Sequence, residues 1–265
     1  MITSNSNARV KQVVQWQTKA KERRRDHIFL AEGIRMCEEA PAGSVREVYL
    51  TEELAAKVRQ DKPAFWDKLQ QTGYETVSPE VFARMSDTQT PQGILTVLEQ
   101  PTYDLEQLLE APKPLFLVLE SLQDPGNLGT MIRTGEGAGI TGVIMNQQTV
   151  DIFNPKTIRA TMGSIFRVPF VYVPELAPVL TRMHERGIHT YAAHLQGREY
   201  YDSFSFREPS AFLIGNEGNG LSREISEQAE HYLKIPMEGK VESLNASIAA
   251  ALLMYEAHRQ RSLNS

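Results

Sequence analysis

The chain of 265 residues has a single cysteine, Cys37, and only six histidines, scattered along its length. One thiol cannot close an internal disulfide, and histidines without ligand spacing argue against structural zinc. Cys37 reads as a packed residue of a short helix. No stretch approaches the ~18 uninterrupted apolar residues of a membrane span, and "MITSNSNARVKQ" at the amino terminus lacks the apolar core of a secretory signal. A cytoplasmic protein is therefore expected, with neither membrane nor metal among its partners. Two nucleotide motifs are missing as well. There is no G-x-x-x-x-G-K-[ST] loop, which disfavours an NTPase, and no G-x-G-x-x-G directly after a strand, which disfavours a dinucleotide enzyme.

What is present is ordinary for a globular protein: 41% hydrophobic and 23% charged residues, enough for a sizeable core. The formal charge of −5 counts against a nucleic-acid coat but not against local contact, because phosphate binding depends on how charge is distributed. The distribution is uneven. Arg9, Lys11, Lys19, Lys21, Arg23, Arg24 and Arg25 stand against the single acid Glu22. Such a run is either a solvated helix face or a phosphate contact.

Periodicity divides the chain into two α/β units. In the first, a basic helix precedes strands in "HIFLAEG", "SVREVYL" and "YETVS" and helices in "IRMCEEA" and "AFWDKLQQTG", ending near "TPQGILTVLE". Pro101, Pro112 and Pro114 mark a connector. The expected division is 1–99, a linker at 100–114, and 115–265. From Leu115 onward strands and helices alternate, from "LFLVLE" to "NASIAAALLMYEAHRQR", which predicts a mainly parallel sheet with helices on both faces.

Ligands of such sheets sit outside the carboxyl ends of the strands, so the loops there carry the chemistry. After the strand at Leu115, "QDPGN" offers Asp124 as a helix cap and Pro125 in the first turn, leaving Asn127 near the positive end of the helix. Arg133 is the polar residue of an otherwise apolar or small helix. The glycines of "GEGAGI" read as a frayed helix end turning into the next strand. After "AFLI" comes "GNEGNG", with open backbone amides and the lone carboxylate of Glu217. After "YLKIP" comes "MEGKVESLNAS", placing Ser243, Asn245 and Ser247 at the start of an apolar helix. Together these loops suit a nucleoside-sized ligand held largely by backbone hydrogen bonds.

"DPGNLGTMIRTGEGAGI", "FLIGNEGNGLS" and "IPMEGKVESLNASIAAALLMYEA", in that order, resemble the three motifs of the SpoU (TrmH-like) family of RNA ribose 2′-O-methyltransferases in the SPOUT superfamily. "AEGIRMCEEA" and "DTQTPQGILTV" resemble that family's substrate-binding domain. The resemblance implies an amino-terminal, ribosomal-protein-like (L30e-like) RNA-binding domain and a carboxyl-terminal domain with a deep trefoil knot, where the residues alone predict an ordinary open sheet. It implies S-adenosylmethionine as cofactor, contacted by Gly215, Glu217, Ile235, Met237 and Leu244. Asn127, Arg133, Glu217, Ser243 and Asn245 correspond to the polar residues around the transferred methyl. It also implies a homodimer through the knotted domain, and RNA contact through Arg9, Lys11, Arg23, Arg24 and Arg25. Ribosomal RNA, 23S in particular, is the expected substrate. A tRNA ribose methylase and a non-catalytic RNA-binding protein are the alternatives.

Overall fold

The computed structural model describes residues 1–194, 197 and 199–262. Helices α1 (Ala8–Thr18) and α2 (Ala20–Asp26) lead into β1 (Ile28–Glu32), α3 (Ile34–Glu39), β2 (Val45–Thr51), α4 (Glu52–Asp61), α5 (Pro63–Thr72), β3 (Glu75–Val77), α6 (Pro79–Met85) and β4 (Ile94–Glu99). Next come α7 (Leu105–Leu109), β5 (Leu115–Leu119), α8 (Pro125–Ala138), β6 (Gly142–Asn146), α9 (Pro155–Thr161) and β7 (Phe170–Val173). The chain closes with α10 (Ala177–Glu185), β8 (His189–Ala193), β9 (Glu199–Tyr200), β10 (Ser210–Ile214), α11 (Arg223–Gln228), β11 (His231–Lys234) and α12 (Ala246–Ser262).

The chain forms two units, Met1–Pro101 with Asp151–Phe166, and Thr102–Val150 with Arg167–Ser265. In the first unit the strand order is β1-β4-β2-β3, with β4 antiparallel to β1 and β2 and with β2 parallel to β3. One face packs Val10, Val13 and Trp16 of α1 with Val81, Phe82 and Met85 of α6, and the other packs α3, α4 and α5. The segment Asp151–Phe166 belongs here, where Phe153 meets Phe29 at a centroid distance of 5.0 Å. The single basic helix read from the sequence is in fact two. Lys19 takes extended angles (φ −125°, ψ 108°), so α1 ends and α2 begins on either side of it.

In the second unit a seven-stranded sheet has the order β7-β6-β5-β10-β8-β11-β9, every pairing parallel. Strands β5, β6 and β10 are buried along their whole length, as required when helices cover both faces. On one face Val179, Leu180 and Met183 of α10 and Ile225 of α11 pack on Phe116, Val118, Ile144 and Leu213. On the other, α12 packs against α8 and β10. The chain runs outward from β5 through β6 to β7, then resumes on the far side at β8, with β10 inserted between β5 and β8. The gap between the carboxyl ends of β5 and β10 is thus the topological switch point, where sheets of this kind hold ligands.

Helix α8 shows why the sequence folds as it does. Asp124 Oδ1 caps the Asn127 N–H at 2.8 Å, Pro125 occupies the first turn, and Leu128, Met131, Ile132 and Gly135 form the buried stripe. The reading of "GEGAGI" as a frayed end needs correction, because α8 stays helical to Ala138 and is capped by left-handed Gly139. Gly135 and Gly137 lie inside the helix as contact points. A Cβ on Gly135 would strike the Ile140 side chain, and one on Gly137 would sit 2.9 Å from Tyr255 Oη of α12.

Candidate active site

Loop Gly215–Leu221 leaves the carboxyl end of β10 and doubles back at once. Asn216 and Gly220 exchange backbone hydrogen bonds at 3.0 and 2.8 Å, while Asn216 Oδ1 accepts the Gly218 and Asn219 N–H groups at 2.9 and 3.0 Å. The closure is tight enough that a Cβ on Gly215 would collide with the backbone of Gly220 and Leu221. Backbone from this loop therefore forms one wall of a cavity of about 370 Å³. Opposite lie Ile235 and Met237 beyond β11, and Ser243 and Leu244 before α12. All five expected cofactor residues, Gly215, Glu217, Ile235, Met237 and Leu244, line this one cavity, as does Ser243. The walls combine apolar side chains such as Ile235, Met237 and Leu244 with glycine-loop backbone and the polar side chains of His194, Lys234 and Glu242.

Beside the cavity runs a continuous polar chain. Glu217 accepts the Gln123 N–H at Oε2 and the Asp124 N–H at Oε1, both at 2.9 Å, and the Asn127 Nδ2 at Oε1, at 3.0 Å. Asn245 Nδ2 donates to Asn127 Oδ1 at 3.0 Å, and Asn245 Oδ1 caps α12 by accepting from Ser247 N–H at 2.9 Å and its hydroxyl at 2.6 Å. Partial burial pushes the Glu217 carboxyl up, but the hydrogen bonds from Gln123, Asp124 and Asn127 outweigh it and hold the group below the ordinary carboxylate range. Glu217 is therefore a carboxylate anchoring three donors.

Arg133 is not part of this chain. It lies exposed on α8 and has no hydrogen bond or ion pair among the described residues. The basic run also divides. Arg23 is 3% exposed, donating to the Trp16 and Gln17 carbonyls at 2.6 and 3.2 Å and pairing with Asp151 at 2.6 Å. The expectation of RNA contact by Arg23 is corrected on this ground, because a buried guanidinium with three protein partners has no face for a phosphate. Arg9 pairs with Glu75, and Arg25 with Glu22 and Asp26, while Lys11, Lys19, Lys21 and Arg24 are exposed. Among the described residues no group of three His, Cys, Asp or Glu side chains has metal-binding geometry, and no helix is long and apolar enough to cross a membrane.

Two residues of the site, Asn216 and Gln123, went unread in the sequence, and Asp124 was read only as a helix cap. Asn216 shapes the loop through its side chain, and its position within "GNEGNG" is a signal that could have found it. Gln123 and Asp124 contribute backbone N–H groups, which no side-chain pattern announces.

A parallel sheet with a cavity at the carboxyl ends of β10, β8 and β11 and an anchored carboxylate bridging to the turn after β5 defines an α/β protein built around a nucleoside-sized site. A family model described as the SpoU rRNA Methylase family matches residues 114–255, and an MRM3-like substrate binding domain model matches residues 7–96. The chain belongs to the SpoU rRNA methylase family. It is 35% identical over 258 residues to the Bacillus subtilis 23S rRNA (guanosine(2553)-2′-O)-methyltransferase RlmP, covering 96% of this chain and 97% of that protein. Its fold matches the SpoU methyltransferase AviRb from Streptomyces viridochromogenes in complex with AdoMet, with a TM-score of 0.83, 28% identity and coverage of 97% and 98%. The AdoMet-bound rRNA methyltransferase from Sinorhizobium meliloti gives a TM-score of 0.84, 28% identity and 97% coverage of both chains. The A. aeolicus TrmH/SpoU tRNA modifying enzyme matches less, at a TM-score of 0.52 and 26% identity over 60% of this chain and 82% of that one.

Proposed function

We infer that the protein transfers the methyl group of S-adenosylmethionine to a ribose 2′-hydroxyl of ribosomal RNA, most specifically of 23S rRNA. The observation that carries this reading is the convergence of Glu217, Asn127 and Asn245 at the β5/β10 switch point, beside the cavity at the carboxyl ends of β10, β8 and β11. The cavity suits the cofactor. Its volume lies in the ordinary range for small-molecule sites, and the apolar Ile235 and Leu244 beside glycine-loop backbone suit a purine read by main-chain hydrogen bonds. Gly215, Ile235, Met237 and Leu244 would hold it. When bound it supplies an electrophilic methyl on a sulfonium, already a good leaving group.

The chain's own task is to position and activate the hydroxyl. Holding an attacking oxygen in line can supply several kcal/mol of a barrier, up to ~7–11 in well-oriented systems. A guanidinium stays protonated in proteins, so Arg133 acts as a clamp on the target's phosphate and as the positive charge that favours a developing alkoxide. Glu217, its oxygens already taken by three donors, organises Asn127. Asn127, Ser243 and Asn245 fix the ribose and the loop.

The exposure of Arg133 supports a homodimer joined through the carboxyl-terminal unit, with each arginine serving the partner's site. Ile248, Leu252 and Tyr255 of α12 expose an apolar strip, and Tyr255 lies against Gly137, one turn beyond Arg133 on α8. The trefoil knot implied by the resemblance fits the convergence of loops 215–221 and 235–244 on one cavity. RNA contact falls to the exposed Lys11 and Arg24 on the amino-terminal unit, with Arg9 and Arg25 at its ion-paired margin.

The substrate-binding domain and the near-complete match to a 23S rRNA enzyme favour ribosomal RNA over tRNA. Mapping 2′-O-methyl sites in total RNA with and without the gene tests this. One 23S rRNA site should disappear; loss of a tRNA site instead, or of none, overturns the reading. Calorimetric titration should show binding of S-adenosylmethionine and none of NAD.

A further inference from the structure

Ser121 follows β5 in the left-handed region of backbone space (φ 56°), where a side-chain-bearing residue persists only if its neighbours hold it. Three amide side chains do so. Asn146, the last residue of β6, accepts the Ser121 N–H at 2.8 Å and donates through Nδ2 to its hydroxyl at 3.1 Å. Asn216 Nδ2 and Gln123 Nε2 donate to the Ser121 carbonyl at 2.9 and 3.0 Å. The Asn146 side chain is buried, and its Oδ1 also accepts the Thr149 hydroxyl at 2.9 Å. Both polar atoms of that amide thus bond the turn, with Oδ1 shared with Thr149. The next backbone donors beyond Ser121 and Leu122 are Gln123 and Asp124, and both go to Glu217.

The geometry points to Asn146 as a positioning residue for methyl transfer. Holding Ser121 left-handed aims the Gln123 and Asp124 N–H groups at Glu217, and Glu217 in turn sets the amide of Asn127. Asn146 lies outside the cavity, and Ser121, Gln123 and Glu217 stand between it and Asn127. This inference rests on the reading of Glu217 and Asn127 as part of the methyl-transfer site. Misplacement of reacting groups by a fraction of an ångström is costly, so a distant side chain can govern turnover without governing cofactor affinity.

The test compares Asn146→Ala, Asn146→Asp, Ser121→Gly and the Ser121→Gly/Asn146→Ala double variant with the unmodified full-length protein. The readouts are kcat on 23S rRNA, S-adenosylmethionine affinity, and amide hydrogen exchange at Gln123 and Asp124. Asn146→Ala should lower kcat about tenfold with affinity changed less than about threefold, and should speed exchange at both amides. Glycine adopts the left-handed region without strain, so adding Ser121→Gly should restore exchange protection and most of kcat. Asn146→Asp keeps the acceptor for the Ser121 N–H and should retain most activity, which keeps the test alive if the alanine variant fails to fold. Turnover within about twofold in Asn146→Ala, or a loss that Ser121→Gly restores in exchange but not in kcat, overturns the inference. If the unmodified protein methylates no RNA while the exchange pattern follows expectation, the methyl-transfer reading fails and the turn stands.

Discussion

Asn245 donates from Nδ2 to Asn127 Oδ1 at 3.0 Å, joining residues 118 positions apart. One contact ties the first turn of α8 to the cap of α12, and Glu217 closes the set from a third loop. Asn245 thus does two jobs, since its Oδ1 caps α12 while its Nδ2 bridges. Asn245→Ser separates them. Serine is an equally good cap but cannot reach Asn127, so melting temperature should hold within a few degrees while kcat falls at least tenfold. Thermal denaturation and single-turnover methylation of rRNA check this.

Arg133→Ala should abolish methyl transfer and leave S-adenosylmethionine affinity within a few fold, because the arginine lies outside the cavity. Paired calorimetry and tritium-transfer assays decide it. If Arg133 serves the partner's site, mixing Arg133→Ala with Glu217→Ala subunits should recover turnover in the heterodimer, where one site receives an intact set.

Gly215→Ala forces a Cβ into the backbone of Gly220 and Leu221. The loop must open, so cofactor binding should be lost and melting temperature should fall. Calorimetric titration and differential scanning calorimetry measure both. A substitution at Gly218, whose nearest neighbour to a Cβ is Asn216 Oδ1 at 3.5 Å, serves as the milder control.

The two arginines Arg23 and Arg24 should behave oppositely. Arg23→Ala breaks a largely buried pair with Asp151 and should destabilise by about 3 kcal/mol. Replacing Lys11 and Arg24 should leave stability nearly unchanged, weaken RNA binding, and lower the salt slope of log K by about 2. Filter binding across a salt series, with urea denaturation alongside, separates the outcomes.

Glu217 makes stability depend on pH in one direction. Its carboxyl in the folded protein is held below the ordinary value of 4.5, so the stabilisation is fully present above that value and is lost as pH falls through the folded value. The gap in melting temperature between the unmodified protein and Glu217→Gln should be constant near neutrality and should shrink in acid. A gap that widens on acidification would show that the carboxyl is raised instead.

Much of the second unit was legible because its signals are local. Continuous apolar runs such as Leu115–Leu119 mark buried parallel strands, and Asp124-Pro125 announces the start of α8 by capping chemistry alone. The split of the basic segment at Lys19 was not legible, since nothing in "QTKAKERR" breaks helical periodicity. Nor was the work of Gly135 and Gly137, whose partners Ile140, Met254 and Tyr255 lie mostly on another helix.

The sequence by itself determined the alternation of strands and helices, the glycine loops at strand ends, and which side chains could bear chemistry. Only the tertiary structure decided which of them meet. It joined Asn127, Glu217 and Asn245 through hydrogen bonds spanning 90 and 118 positions and left Arg133 exposed. It buried Arg23 against Asp151 while leaving its neighbour Arg24 in solvent. The physical reason is the same in each case. Helix and strand preferences arise from residues within a few positions of one another, whereas burial and hydrogen-bond partnership depend on where the sheet order brings distant segments together.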